Sequence, residues 1–333
     1  MSPASLPDIR STISTRLKKY WPRTSSSAQD LASANALREE VAAEIAAKLR
    51  ATKRGEFTED GTDTEAGTGE DAANKLGAAI GSLALGARLK PRGIFEDDWT
   101  ARPTEKRPWP VIMIHGTCES KGNWQQLGEA LRKAGWAAFA PDFGNRATGV
   151  LEDSARQIGA YIEAVLQVTG AEQVILVGHS QGGLLARYWM RTYGTAHLVR
   201  HVFCVGSPNH GTTQGGIISP LVTTRRGEEV MASVIEAFFG AAGAQQIVGS
   251  PLLEEMAAGG DLEPGVRYTC IATRADTVVV PPESCFLDAT SAPEGTVRNI
   301  YVQDFDRLAV VLHQDLPMDK RVIAIITTIL EQL

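Results

Sequence analysis

From about residue 98 onward, short β-branched and apolar runs alternate with stretches whose apolar positions recur every three to four residues. The runs PVIMI (110–114), AAFAP (137–141), QVILVG (173–178), HVFCVG (201–206), RYTCIAT (267–273) and RNIYVQ (298–303) read as strands. Between and after them, NWQQLGEALRKAG (123–135), the stretch from Val150 to Val168 with Leu151, Ile158, Ile162, Val165 and Leu166, and the C-terminal MDKRVIAIITTILEQL have helical spacing. Strand and helix in alternation imply an α/β fold with a mostly parallel central sheet flanked by helices. In such sheets ligands bind beyond the carboxyl ends of the strands, so the residues that follow each run are where chemistry is expected.

The first 95 residues differ in character. Leu37, Val41, Ile45 and Leu49 recur every fourth position and predict an amphipathic helix. Residues 51–73, rich in Gly, Thr, Asp and Glu and almost without large apolar side chains, read as a disordered linker, because nothing there offsets the entropy of ordering. The expected organisation is a helical N-terminal extension over 1–95 and a catalytic domain over 96–333, with an insertion at about 211–265. That insertion is far longer than one crossover helix needs. In it Val230, Met231, Val234, Ile235, Phe238 and Phe239 form an apolar stripe. Two readings of the stripe stay open: a lid whose Phe238 and Phe239 bind acyl chains and touch a lipid surface transiently, or plain core packing.

Composition narrows the partners. Of 333 residues, 43% are hydrophobic and 22% charged, and the net charge of −6 gives no basic field to gather phosphates, which argues against nucleic acid. The basic start MSPASLPDIRSTISTRLKKYWPR is followed by no apolar run of signal-peptide length, and the stretch LGAAIGSLALGARL is too short and glycine-broken to span a bilayer. A soluble, cytoplasmic protein is expected. Its four cysteines lack metal-site spacing and read as thiols.

Directly after QVILV stands Gly178-His179-Ser180-Gln181-Gly182, followed by Gly183 and a helical stretch LLARYWMRTYG. A G-x-S-x-G pentapeptide between strand and helix describes a nucleophile elbow: the serine is held in a strained turn, flanking glycines avoid collision, and the helix aims its first N–H groups at a developing anion. Outside that context the pentapeptide would be an ordinary glycine-rich turn. A serine hydroxyl needs an imidazole to take its proton and a carboxylate to orient the imidazole. In this chain order, Ser then acid then His, His313 is the one histidine with acids between it and Ser180. Asp276, just past the RYTCIAT strand and walled by Val278, Val279, Val280 and Pro281, is the favoured acid; Asp261, Asp288, Asp304 and Asp306 are its rivals by order. The oxyanion donors expected are the main-chain N–H groups of Gln181 and of Thr117, in the His115-Gly116-Thr117 turn after the first strand. His115 and His179 are expected to brace their own turns through local backbone bonds.

Taken in this order, HGT, GHSQGG, SPNHGTT, the Asp276 loop and His313 make the region from about 97 to 316 resemble bacterial lipases of the α/β-hydrolase superfamily, especially the secreted actinobacterial ones. The resemblance implies an α/β-hydrolase fold and an acyl-ester hydrolase using neither metal nor organic cofactor, with Ser180, Asp276 and His313 as triad and Thr117 and Gln181 as oxyanion donors. The secreted relatives carry a signal peptide and a cysteine in each of the segments resembling DDWTARP and AGWAAFAP; Thr100 and Ala138 or its neighbours stand there instead, which fits a reducing compartment. Two other readings remain: an acyltransferase using the same triad, and a non-catalytic binding module with the extension as its arm.

Overall fold

The computed structural model describes residues 83–213, 235–290 and 292–333. Six strands, β1 (Val111–Ile114), β2 (Ala138–Phe139), β3 (Val174–His179), β4 (Val199–Val205), β5 (Arg267–Ala272) and β6 (Val297–Tyr301), pair in parallel in the order β2-β1-β3-β4-β5-β6. They coincide with the six apolar runs of the sequence. The runs are continuous rather than alternating because the central strands are buried on both faces, as β1 and β3 are along their whole length.

Side chains alternate across the sheet and feed two cores. Ile112 and Ile114 point to one face, where α2 (Leu151–Thr169) and α3 (Gln181–Tyr193) close over them with Leu151, Ile158, Leu184 and Trp189. Val111 and Met113 point to the other, against α1 (Gln125–Lys133) and α6 (Lys320–Leu330), where Leu127, Leu131, Ile323 and Ile326 are buried. Helix α6 starts where Asp319 caps it by accepting from the Arg321 N–H at 2.8 Å.

Strand order reverses at β1, which sends the chain to β2 on one side and to β3 on the other. The register aligns Ile114 with Gly178, Gly178 with Cys204, and Val205 with Ile271. As a result the segments starting at His115, Ser180, Gly206 and Thr273 leave the sheet along one edge, next to the switch point where such folds bind ligands.

N-terminal to the expected boundary at 96, Leu85 and Phe95 are buried, and Arg92 bonds to the Gln314 carbonyl and the Asp315 carboxylate, both at 2.8 Å. The expected helix around residues 37–49 and the linker at 51–73 lie outside the described residues. So do Val230, Met231 and Val234; the described part of the insertion contains a helical turn at 235–239, α4 (Ala241–Gln245) and α5 (Pro251–Ala258).

All four cysteines are unpaired, buried thiols. Cys204 and Cys270 face each other as register partners on β4 and β5, and the Cys285 thiol donates to the Cys204 carbonyl at 3.5 Å. None of the described helices is long and apolar enough to cross a membrane.

Candidate active site

Strand β3 ends in a turn no ordinary residue favours. Ser180 sits at φ 50 and ψ −125, a region that L side chains rarely adopt and that persists only where surroundings over-determine it. The surroundings are visible: the Ser180 N–H donates to the Val205 carbonyl at 2.8 Å, and the Gly183 N–H donates to the Ser180 carbonyl at 3.2 Å. A Cβ on Gly178 would come within 2.3 Å of the Gly183 nitrogen, and one on Gly182 within 2.2 Å of the Ile114 carbonyl oxygen. Only glycine fits either position.

His313 opens a 3-10 turn, His313–Met318, between β6 and α6. Its Nδ1 donates to Asp276 Oδ2 at 2.8 Å, while the other oxygen of Asp276 accepts the N–H groups of Val278 at 2.8 Å and Val279 at 2.9 Å. Burial disfavours the charged form of both groups. For Asp276 this is outweighed by the His313 charge and hydrogen bond and by the two N–H donors, so its pKa is lowered. For His313 the Asp276 charge and hydrogen bond, with a smaller contribution from Glu119, outweigh burial and raise its pKa. The rival acids are engaged elsewhere: Asp261 with Arg187 and His210, Asp288 with Thr290, Asp304 with the Tyr301 N–H and Arg274, and Asp306 with Arg321.

Ser180 and His313 both lie near the Val205–Gly206 segment. Val205 takes the Ser180 N–H, and a Cβ on Gly206 would lie 3.4 Å from His313 Cε1 and Nδ1. Ser180 Oγ and His313 Nε2 form no hydrogen bond to each other in this structure, and both side chains are buried, with residue exposures of 7% and 5%. Such bonds often tighten only when substrate is bound.

The turn after β1 supplies the facing wall. Gly116 accepts at its carbonyl from the Glu119 N–H at 3.2 Å, which closes the turn and leaves the Thr117 N–H, on the opposite side of the same peptide plane, without an acceptor among the described residues. Gln181 heads α3, where the first N–H groups have no intrahelical partner. Among the described residues both expected oxyanion donors are therefore unclaimed. Thr117 Oγ1 accepts from Gln246 Nε2 at 3.1 Å, which ties this turn to the insertion. Phe238 and Phe239 are half-buried, with ring centroids 4.7 Å apart, and the Cys118 thiol lies 3.8 Å from the Phe238 carbonyl oxygen.

Three residues of this neighbourhood went unread in the sequence. Glu119 Oε2 accepts from the Gly116 N–H at 2.9 Å and from His179 Nδ1 at 2.7 Å. Burial would raise its pKa, but the His179 charge, that hydrogen bond and the Gly116 N–H bring it down to about 2. Arg146 rises from a left-handed turn in which Gly144, Asn145, Arg146 and Ala147 all have positive φ. It donates to the carbonyls of Glu119 and Cys118 at 2.6 Å each and of Leu89 at 2.7 Å, and its own carbonyl accepts the Cys118 N–H at 2.7 Å. Gln246 is the third. His115 braces its own turn as expected, with Nδ1 2.9 Å from the Gly116 carbonyl oxygen, but His179 does not: besides Glu119 it reaches the His313 carbonyl, 134 residues away, at 3.0 Å. That correction follows from the β1–β3 pairing, which brings two separate turns together. Among the described residues no His, Cys, Asp and Glu side chains cluster as a metal site.

A family model described as alpha/beta hydrolase fold matches residues 110–233. A triacylglycerol lipase of Burkholderia plantarii is 27% identical over 157 residues, covering 43% of this chain and 40% of that protein. Another triacylglycerol lipase, from Pseudarthrobacter phenanthrenivorans, is 30% identical over 129 residues, covering 35% of this chain and 38% of that one. The chain thus spans about two fifths of the length of the curated relatives it matches. Among solved structures, Aspergillus fumigatus lipase B superposes with a TM-score of 0.51 over 97% of this chain and 94% of that one, at 13% identity, a likeness of fold. The parallel sheet, the elbow at its centre and the family match together make this an α/β-hydrolase-fold domain, similar in sequence to bacterial triacylglycerol lipases.

Proposed function

We propose that the chain is a serine-dependent carboxylic ester hydrolase, a lipase or esterase acting on acyl esters. The observation that carries the reading is the His313–Asp276 hydrogen bond of 2.8 Å, set beside a serine in an elbow conformation. With Nδ1 committed to Asp276, the basic nitrogen of neutral His313 is Nε2. In the proposed reaction Ser180 Oγ attacks the ester carbonyl as Nε2 takes its proton, and the oxyanion accepts from the N–H groups of Thr117 and Gln181. The imidazolium then protonates the leaving alcohol. Water, deprotonated by the same nitrogen, attacks the acyl-enzyme, and collapse of the second tetrahedral intermediate returns the proton to Ser180 and frees the acid. Asp276 holds the ring in one tautomer and stabilises its charged form throughout.

Phe238 and Phe239, joined to the oxyanion turn through Cys118, are the apolar surface we assign to the acyl chain and to contact with lipid. The buried, unpaired thiols are compatible with the cytoplasmic location that we include in the proposal. A fluorophosphonate probe followed by peptide mapping tests the reading. Label on Ser180 that is lost in Ser180→Ala and strongly slowed in His313→Ala is the expected result; an unlabelled, folded wild type overturns it.

A further inference from the structure

His179 stands one residue before Ser180, and both of its ring nitrogens face acceptors. Nδ1 meets the Glu119 carboxylate at 2.7 Å and Nε2 meets the His313 carbonyl at 3.0 Å. A neutral imidazole carries one N–H and could serve only one of them, so the geometry calls for the ring protonated on both nitrogens. Glu119 has the complementary charge, and the same oxygen that takes the His179 proton also takes the Gly116 N–H at 2.9 Å. Gly116 is enclosed by the pair: a Cβ there would lie 2.9 Å from Ser180 Cβ, 3.1 Å from Glu119 Oε2 and 3.2 Å from His179 Nδ1.

We propose that Glu119 and His179 are positioning residues for ester hydrolysis: a buried carboxylate–imidazolium pair that orients the Gly116–Thr117 peptide toward the oxyanion and ties the main chain of His313 to the elbow. The inference rests on the hydrolase reading above. Its physical content is that the three parts of the site belong to three segments with no sequence proximity, and this pair bonds to all of them. Glu119 belongs to the oxyanion turn and closes it from both ends, by its own N–H to the Gly116 carbonyl and by its side chain to the Gly116 N–H. His179 belongs to the elbow, and its second bond is to the residue that carries the base. Because neither touches the reacting atoms, their removal acts on geometry and on the charge felt by His313, whose ring centroid is 4.9 Å from that of His179.

The charge can be followed separately from the geometry. Besides each other, the groups facing the pair are His115 on the same turn, Asp142 and Arg146 from the segment after β2, and His313 with Asp276 behind it. Glu119 is one of the charges that hold His313 up. Replacing it by Gln removes that charge and leaves the His179 cation unbalanced beside the base.

The test compares wild type, Glu119→Gln and Glu119→Asp in hydrolysis of a soluble p-nitrophenyl ester across pH, with fluorophosphonate labelling of Ser180 alongside. Glu119→Gln is expected to lower kcat by roughly 10- to 100-fold, less than the roughly 10²- to 10³-fold of deleting an oxyanion donor outright, with KM changed by less than about threefold. The acid limb of its kcat/KM profile is expected to move to lower pH. Glu119→Asp, which keeps the charge but shortens the reach, is expected to restore the acid limb while kcat stays low. Nitrogen-15 NMR of the wild-type histidine rings is a reading that needs no variant: His179 is expected to carry protons on both nitrogens at neutral pH. A His179 with one bare nitrogen, or a folded Glu119→Gln whose kcat and acid limb match wild type while Ser180 is labelled in both, overturns this inference alone. A wild type unlabelled at Ser180 overturns the hydrolase reading, and the positioning role with it.

Discussion

His313 Nδ1 donates to Asp276 Oδ2 across 2.8 Å, and both partners lie within a few per cent of complete burial. With Asp276 Oδ1 already saturated by the Val278 and Val279 N–H groups, one tautomer of the ring is fixed. Asp276→Asn keeps the shape but presents an amide that can donate to Nδ1, which moves the ring proton to Nε2. The expected result is a fall in kcat of about 10⁴-fold, the scale of a triad in the wrong tautomer, with little change in KM. Steady-state hydrolysis of a p-nitrophenyl ester measures it.

On the proposed chemistry the same pair sets the pH dependence of the rate. His313 must be neutral to act as base, and its pKa is raised, so kcat/KM is expected to rise through a midpoint above about 6.5. A pH-rate profile with its acid limb clearly below that value would contradict the assignment of His313 as base.

Stability should follow the two shifts with opposite signs. Asp276, whose folded pKa is depressed, contributes stability present above its unfolded pKa of about 3.9 and lost as pH falls through the folded value. His313, whose folded pKa is raised, contributes stability present below its unfolded pKa of about 6.5 and lost as pH rises through the folded value. The pair therefore stabilises most between about pH 4 and 6.5. Urea unfolding of wild type and of the Asp276→Asn, His313→Gln double variant across this range should show their difference greatest inside the window.

Glu119 makes a sharper statement at low pH. Its folded pKa of about 2 lies below the unfolded value, so its contribution is complete above the unfolded pKa and vanishes as pH falls toward 2. Glu119→Gln should accordingly lower the urea midpoint at pH 7 and lose most of that deficit near pH 2 to 3, if wild type is still folded there.

Arg146 holds three carbonyls, two of them in the turn after β1. Arg146→Met keeps the stem and removes the donors, each worth about 1.5–3 kcal/mol as a charge-assisted bond. Faster amide hydrogen exchange at residues 117–119 and a kcat lowered more than KM is raised are the expected results. Unchanged exchange there would mean that the turn keeps its shape without the guanidinium.

Much of the fold is legible in the sequence. All six strands stood out because strands buried on both faces are continuous apolar runs, and the order of Ser180, Asp276 and His313 followed from the elbow and the supply of histidines. Asp276 was favoured over Asp304 and Asp306 by its place just past a strand, and the structure bonds it to His313 while Arg321 and the Tyr301 N–H engage the other two. Glu119 had no signal of its own. Its partners lie on a neighbouring turn and its role exists only once Ile114 and Gly178 are in register, although an acid in the turn after the first strand and a histidine just before the nucleophile were the pair to test.

The spread of the site along the chain has a consequence for synthesis. Residues 110–233, the part that matches the family, contain the proposed nucleophile and the proposed oxyanion donors, whereas the proposed acid and base are added 43 and 80 residues later, at Asp276 and His313. If the proposed roles hold, a nascent chain that has already built the elbow is inert. On the proposed chemistry, ester cleavage can begin only after His313 has cleared the ribosome and β5 and β6 have joined the far side of the sheet, so the elbow by itself stays silent toward esters.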